Sequence, residues 1–268
     1  MMSPNGQIGV RPEGGGTGEP ILRLVGVEKA FEGKKVLDGV TLDIPRERIT
    51  AIIGLSGAGK SVLLKHMIGL LKPDRGQVFV DGADINRLSK KELYEVRRRF
   101  GMLFQSGALF DSLTVFENVA FPLREKTKMA EGEIREKVLG ILRTVGLEGA
   151  SEKYPDELSG GMVRRVALAR AVVMDPEIIL FDEPTTGLDP IIRNSILNLF
   201  RREYEENRFT MVMVSHDIPD IFQYCHHVVV VNNGKVVEVG APEDVRNSSD
   251  PFVRQLVDGV VEGPIQLA

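Results

Sequence analysis

The sequence predicts an α/β fold: a parallel-sheet core around a phosphate-binding loop, with an antiparallel β subdomain and an inserted helical subdomain. Three observations carry this reading. Ile49-Thr50-Ala51-Ile52-Ile53 is a short, nearly continuous, β-branched apolar run, as expected of a strand buried on both faces. Gly54-Leu55-Ser56-Gly57-Ala58-Gly59-Lys60-Ser61 follows at once and opens a helix. Further along, Leu158-Ser159-Gly160-Gly161-Met162 is a second glycine-rich helix start.

The elements follow in order. Residues 1–20 open with a glycine- and proline-rich stretch without periodicity, which predicts a disordered tail before a domain over 21–250. From Ile21 to about Asp81 strand character prevails. Val40, Leu42 and Ile44 alternate with Thr41 and Asp43, the pattern of a half-buried antiparallel strand, and Asp81-Gly82 signals a turn. After the glycine-rich loop, Val62, Leu63, Met67 and Leu70 recur at helical spacing until Pro73 ends the pattern. Helical signals then dominate over about 88–158. Ser89-x-x-Glu92 and Thr114-x-x-Glu117 are capping boxes, and Ile134, Val138, Ile141, Leu142 and Val145 share a helix face. Arg97-Arg98-Arg99 within this span reads as a solvated face or a contact for a membrane partner. Ser159 is a good N-cap for a helix striped with Val163, Val166, Ala167 and Ala171, up to Asp175-Pro176. Ile178–Phe181 and Thr210–Val214 are two more buried strands. Val228–Val231, Asn232-Asn233-Gly234 and Val236–Val239 read as a hairpin, and Pro251 begins a short helix in a C-terminal tail over 251–268.

Strand, G-x-x-x-x-G-K-S and helix, in that order, identify a P-loop. Gly54, Gly57 and Gly59 let successive N–H groups turn toward one anion, and the helix N-terminus adds its positive end. Lys60 is placed to reach the β- and γ-phosphates of a nucleotide and the Ser61 hydroxyl to bind Mg²⁺, while Leu55, Ser56, Ala58 and Val62 complete the cradle. The strand before Asp182-Glu183 ends in two carboxylates where α/β folds bind their ligands. Asp182 is the candidate for holding Mg²⁺, and Glu183 for polarising the attacking water. His216, after the third strand, is a candidate to contact the γ-phosphate or orient that water, although a lone histidine there also suits a structural role. Ser215-His216-Asp217 is not a catalytic triad, since triad members converge from separate segments. The helix start at Ser159 is a second anion-binding surface, and an ordinary capped core helix fits the same spacing.

Read in order, the P-loop, Gln105 after an apolar strand, Leu-Ser-Gly-Gly, the Asp-Glu strand, Gly187-Leu188-Asp189 and His216 resemble the ATP-binding-cassette (ABC) ATPases from about Ile21 to Gly240. The resemblance implies ATP and Mg²⁺ as cofactors. It implies that Phe31 stacks on the adenine, and that Gln105 senses Mg²⁺ and the γ-phosphate and contacts the membrane partner. It also implies that Ser159, Gly160 and Gly161 contact the γ-phosphate of a second copy, and that Asp189 lies in the loop crossing that homodimer interface. Two departures stand out: Met162 replaces the usual glutamine, and Glu47 falls near a common glycine. Met102–Phe110 and Val115–Glu125, with Leu-Ser-Gly-Gly-Met-Val-Arg-Arg, look like the ATPases of the Mla system, which serve Mce-type lipid transport. That likeness implies phospholipid cargo, an integral membrane permease, a periplasmic Mce-domain lipid-binding subunit and a STAS-domain regulator. The chain would then sit peripherally on the cytoplasmic face of the inner membrane.

Composition bounds the alternatives. The 268 residues carry a net charge of −4 and no basic tract, which argues against nucleic acid as partner. No apolar stretch approaches the ~20 residues needed to span a bilayer, and no signal peptide pattern opens the chain. One cysteine, Cys225, beside His226 and His227, is too sparse for a zinc site or disulfide and fits a reducing cytosol. An importer of a small polar solute, a soluble non-transport ABC ATPase and a regulator without turnover are the rival readings. Intact Glu183 and His216 oppose the last.

Overall fold

The computed structural model describes residues 19–104 and 107–265. Two sheets are stacked with helices around them. The smaller is antiparallel, in the order β2 (Lys34–Ile44), β1 (Leu22–Phe31), β4 (Arg75–Val80), β5 (Ala83–Asp84). The larger runs β10 (Lys235–Gly240), β9 (His227–Asn232), β3 (Ile49–Ile53), β8 (Thr210–Val214), β7 (Ile178–Asp182), β6 (Phe100–Leu103). It is parallel except at β10, which pairs antiparallel with β9.

Burial follows the patterning. Every residue of β3, β7 and β8 is buried, as continuous apolar strands in a sheet covered on both faces must be. On β2, Val40, Leu42 and Ile44 point inward while Thr41 and Asp43 are exposed. Asp81 and Gly82 both adopt positive φ in the β4–β5 turn, as do Asn233 and Gly234 between β9 and β10. Glu47 also has φ +52, so a non-glycine residue occupies a left-handed position there.

The helices are α1 (Lys60–Met67), α2 (Lys90–Arg98), α3 (Val115–Lys126), α4 (Glu131–Thr144), α5 (Gly160–Val172), α6 (Pro190–Asn207), α7 (Pro242–Arg246) and α8 (Pro251–Asp258). Both capping boxes form: the Glu92 and Glu117 amides donate to Ser89 and Thr114, and each glutamate accepts the cap's amide at 2.8 Å. Ile134, Val138 and Leu142 of α4 are buried against a core that includes α3 and α5. Phe181 and Phe200 stack in the same core with centroids 4.3 Å apart, binding α6 to β7. The span 88–158 is not wholly helical, because β6 within it pairs with β7 in the large sheet.

Two expectations are corrected. Leu70 lies past the end of α1 and is exposed, since the left-handed Gly69 turns the chain first. Arg97-Arg98-Arg99 is not a solvated face. Arg97 donates to the Ile68 and Gly69 carbonyls at the end of α1, Arg98 to Glu95 and the Lys126 carbonyl, and Arg99 to Asp81 and Glu177. The Arg97 and Arg99 bonds tie the end of α2 to the nucleotide core, and Arg98 ties it to the end of α3.

A glycine turn joins the two sheets. The Asp38 amide donates to Gly234 O at 2.9 Å, and the Gly234 amide to Ala58 O at 3.1 Å. A Cβ on Gly234 would lie 2.4 Å from Val36 O, so no side chain fits. Arg97→Ala removes the cation bound to the carbonyl end of α1 and should destabilise the fold by about 1 kcal/mol. Urea unfolding checks this, and an unchanged midpoint would show that water replaces the guanidinium.

Candidate functional site

Ile52, Val214 and Asp182 are neighbours in register across β3, β8 and β7. Just beyond them the Ser215 amide donates to Ile52 O at 3.2 Å and the Glu183 amide to Val214 O at 3.1 Å. Three loops therefore leave the sheet side by side, carrying the P-loop, Glu183 and His216.

The P-loop turns tightly beneath its neighbours. Gly54 has φ +151 and a Cβ there would stand 2.1 Å from Val231 O, while at Gly59, φ +99, it would meet Val36 O at 2.8 Å. Around Gly57 the opposite holds: among the described residues nothing lies within 4 Å of a Cβ position. Leu55 and Ser56 are exposed, Ala58 is buried, and Val62 packs on the core beneath the smaller sheet. Helix α1 starts at Lys60 with no side-chain cap, which presents its leading N–H groups and positive end to an anion.

Lys60 is only 4% exposed, and its ammonium donates to Gly54 O at 2.9 Å and Leu55 O at 2.8 Å. Burial lowers its pKa, against the charges of Glu183 and Asp182. The Ser61 hydroxyl donates to Asp182 Oδ1 at 2.7 Å. Burial pushes the Asp182 carboxyl above its usual range; the Ser61 hydroxyl opposes that and the Glu183 charge adds to it. Glu183 has φ +51, its Oε1 lies 2.5 Å from His216 Nε2, and Oε2 accepts the Thr186 hydroxyl at 3.2 Å.

A hydroxyl and a carboxylate side by side are the hard oxygen donors that Mg²⁺ takes, and the uncapped helix start with an open face at Gly57 fits a phosphate chain. The site's residues therefore suit a magnesium–nucleotide complex.

The remaining predicted residues fall outside this cluster. Ser159 caps α5, its hydroxyl accepting the Met162 amide at 3.4 Å, and Ser159 and Gly160 are exposed. Asp189 caps α6 through the Ile191 and Ile192 amides at 3.0 and 3.1 Å. A Cβ on Gly161 would sit 2.8 Å from Ile192, so the two helix starts lie together and face outward. Phe31 ends β1 half exposed, with the Lys29 ammonium 5.5 Å from its ring centroid. Gln105 lies outside the described residues. The segment after it is anchored: Arg170 donates to Gly107 O and Ala108 O at 2.8 Å each, and the buried Asn118 amide bonds Phe110, Leu113 and Thr114. Asn118 falls within the Val115–Glu125 stretch, whereas Arg170 has only one signal in the sequence, a charge set between Ala169 and Ala171 on an apolar helix. Cys225, His226 and His227 lie beside β3. Burial raises the thiol to about 12, and His226 Nδ1 accepts the Ile49 amide at 3.1 Å.

Fold and site together define an α/β P-loop nucleotide-binding protein. The family model described as ABC transporter matches residues 37–186. The chain is 47% identical over 231 residues to the intermembrane phospholipid transport system ATP-binding protein MlaF of Haemophilus influenzae, covering 86% of this chain and 88% of that protein. It is 43% identical over 247 residues to the probable ribonucleotide transport ATP-binding protein mkl of Mycobacterium leprae, covering 92% and 71%. Among solved structures, cbiO1 from Clostridium perfringens, part of the ABC transporter complex cbiONQ, superposes with a TM-score of 0.79 at 33% identity, covering 86% of this chain and 92% of that one. A dimeric ATP-binding cassette in a post-hydrolysis state, bound to ADP and Pi, gives 0.76 at 34% identity, covering 82% and 98%. The chain belongs to the ABC transporter family and is an ATPase of that family.

The raised Asp182 pKa has a thermodynamic sign. A carboxyl whose folded pKa is raised stabilises the fold while protonated and loses that contribution as pH rises through the folded pKa. At neutral pH the buried carboxylate is therefore a cost. Asp182→Asn keeps an acceptor for Ser61 without the charge, so it should raise the melting temperature of the nucleotide-free chain at neutral pH. The difference should shrink as pH falls toward the carboxylate range. Scanning calorimetry across that range checks it, and a lower melting temperature at neutral pH contradicts it.

Proposed function

We propose that this chain is the ATP-hydrolysing engine of a transporter that moves phospholipid across the cell envelope. The observation that carries the catalytic half is the convergence of Lys60, Ser61–Asp182 and Glu183–His216 at one end of three registered strands. Support for the cargo comes from the relatives named for intermembrane phospholipid transport.

Bound Mg²⁺ and ATP supply the γ-phosphoryl group and the charge that neutralises its oxygens. Ser61 and Asp182 would hold the metal, with Gln105 as a further ligand. Lys60 gives up the Gly54 and Leu55 carbonyls for the phosphates, an exchange of neutral acceptors for charged ones. Glu183 polarises the attacking water, and His216 fixes the carboxylate that does so. Phe31 stacks on the base.

The outward-facing starts of α5 and α6 suit a partner's site: Ser159, Gly160 and Gly161 close over the γ-phosphate held by a second copy, and Asp189 crosses between copies. Closure is favoured only by the triphosphate's greater affinity for the closed dimer. No described helix is long and apolar enough to cross a membrane. The relatives named for phospholipid transport support a chain that works against an integral permease, docked at the cytoplasmic face of the inner membrane, with an Mce-domain subunit and a STAS-domain regulator as further partners. The similarity to a protein named for ribonucleotide transport favours one second reading, an ATPase for a polar solute.

Glu183→Gln should bind ATP normally, lose about 10²–10⁴-fold in turnover and accumulate as closed dimer; near-normal phosphate release would remove Glu183 from this role. Lys60→Ala should weaken ATP binding. Ser159→Arg should abolish ATP-driven dimerisation by sizing chromatography, and a normal dimer would refute the shared site. Affinity purification from native membranes tests the cargo. An Mce-domain protein, a permease and enriched phospholipid support it, whereas a permease with a soluble-solute binding protein and no enriched lipid overturns it.

A further inference from the structure

Asp217 follows His216 directly, yet its carboxylate bonds elsewhere. Oδ2 accepts the Thr185 hydroxyl at 2.5 Å and Oδ1 accepts Arg193 Nη1 at 3.0 Å. Arg193 Nη2 donates to Asp220 Oδ2 at 2.9 Å. Each partner adjoins a residue of the proposed machinery. Thr185 comes two residues after Glu183, and Arg193 lies in the first turn of α6, its amide donating to Asp189 O at 2.9 Å. One carboxylate thus joins the loop carrying Glu183, the loop carrying His216 and the helix capped by Asp189.

The pair is poorly suited to stability alone. The Arg193 and Asp217 side chains are 21% and 20% exposed, Thr185 is buried, and among the described residues Arg193 Nε finds no acceptor. A half-dry ion pair with an unsatisfied donor contributes little net free energy, because desolvation offsets its attraction. It does fix geometry, since the guanidinium fork and the hydroxyl approach the two carboxylate oxygens from set directions. Geometry is what a hydrolytic pair in 2.5 Å contact requires, because a displacement of about 1 Å costs roughly 10²-fold in rate.

We propose that Arg193, Asp217 and Thr185 form a positioning network that holds His216 against Glu183 and makes that contact depend on where the Asp189 loop sits. The inference rests on reading Glu183 and His216 as the hydrolytic pair. When a second copy shifts the start of α6, Arg193 carries the shift to Asp217 and so to His216. A single chain then keeps the pair in one arrangement and a closed dimer can impose another.

The test is steady-state ATP hydrolysis by the full chain purified with its membrane partners. Arg193→Met and Asp217→Asn, assayed below their own melting temperatures, should each lower kcat by about 10- to 100-fold, with the KM for ATP within about twofold of the parent. The double variant should be no slower than the slower single variant, because both cut the same link. Arg193→Lys, which keeps charge without the fork, should recover part of the loss. Parental kcat in the single variants, or losses that multiply in the double, would each overturn the network. Should the charge variants fold poorly, Thr185→Val removes only the hydroxyl; it should still lower kcat about 10-fold, and parental kcat would overturn the proposal. Glu183→Gln is run alongside. If it stays active the hydrolytic reading itself fails, and if it is inactive while Arg193→Met is not, only the network fails.

Discussion

The register of three parallel strands is the constraint on which the site depends. With Ile52, Val214 and Asp182 level across β3, β8 and β7, the chain places its glycine loop, its acidic pair and its histidine at one edge without long-range adjustment. A one-residue slip in any of these strands would turn Asp182 or Ile53 to the opposite face. These strands are buried on both faces, so a slip would exchange the side chains packed above and below the sheet and break contacts such as that of Phe181 with Phe200. The chemistry is therefore held by apolar packing. Phe181, which precedes Asp182, is locked against Phe200 beneath the site.

That packing creates an electrostatic tension. Lys60 and Asp182 are buried charges of opposite sign, each disfavoured by desolvation and only partly compensated, the lysine by two loop carbonyls and the aspartate by one hydroxyl. A polyanion and a divalent cation would supply the missing counter-charges to each. Binding of such a ligand would offset the desolvation of both groups.

Much of this was legible in the sequence because it is local. A glycine loop between an apolar run and an apolar-striped helix defines its own geometry, and so do the capping boxes at Ser89 and Thr114. Asn232-Asn233-Gly234 likewise declares its turn. What stayed hidden needs partners distant in sequence. The Arg97-Arg98-Arg99 run reads as surface until its carbonyl and carboxylate acceptors, contributed by segments from α1 to Glu177, are in place. Asp217 looks like an appendage of His216 until α6 brings Arg193 alongside. The left-handed backbone at Glu47, with φ +52, is likewise a value no side-chain pattern encodes. Ser159 and Asp189 show the limit in the other direction: both act as helix caps here, and a cap and a partner's phosphate ligand share one residue type.

The junction at Gly234 has a mechanical consequence. Its backbone is shared between the phosphate loop, through Ala58, and the smaller sheet, through Asp38, with the Val36 carbonyl pressed against its α-carbon. Those contacts make the P-loop and the β1–β2 hairpin one cooperative unit, in which neither opens without breaking the other's hydrogen bonds. Ordering the loop around a ligand would therefore also stiffen the β1–β2 hairpin, where Phe31 ends β1. A ligand that spanned the P-loop and Phe31 would meet one stiff body at both ends.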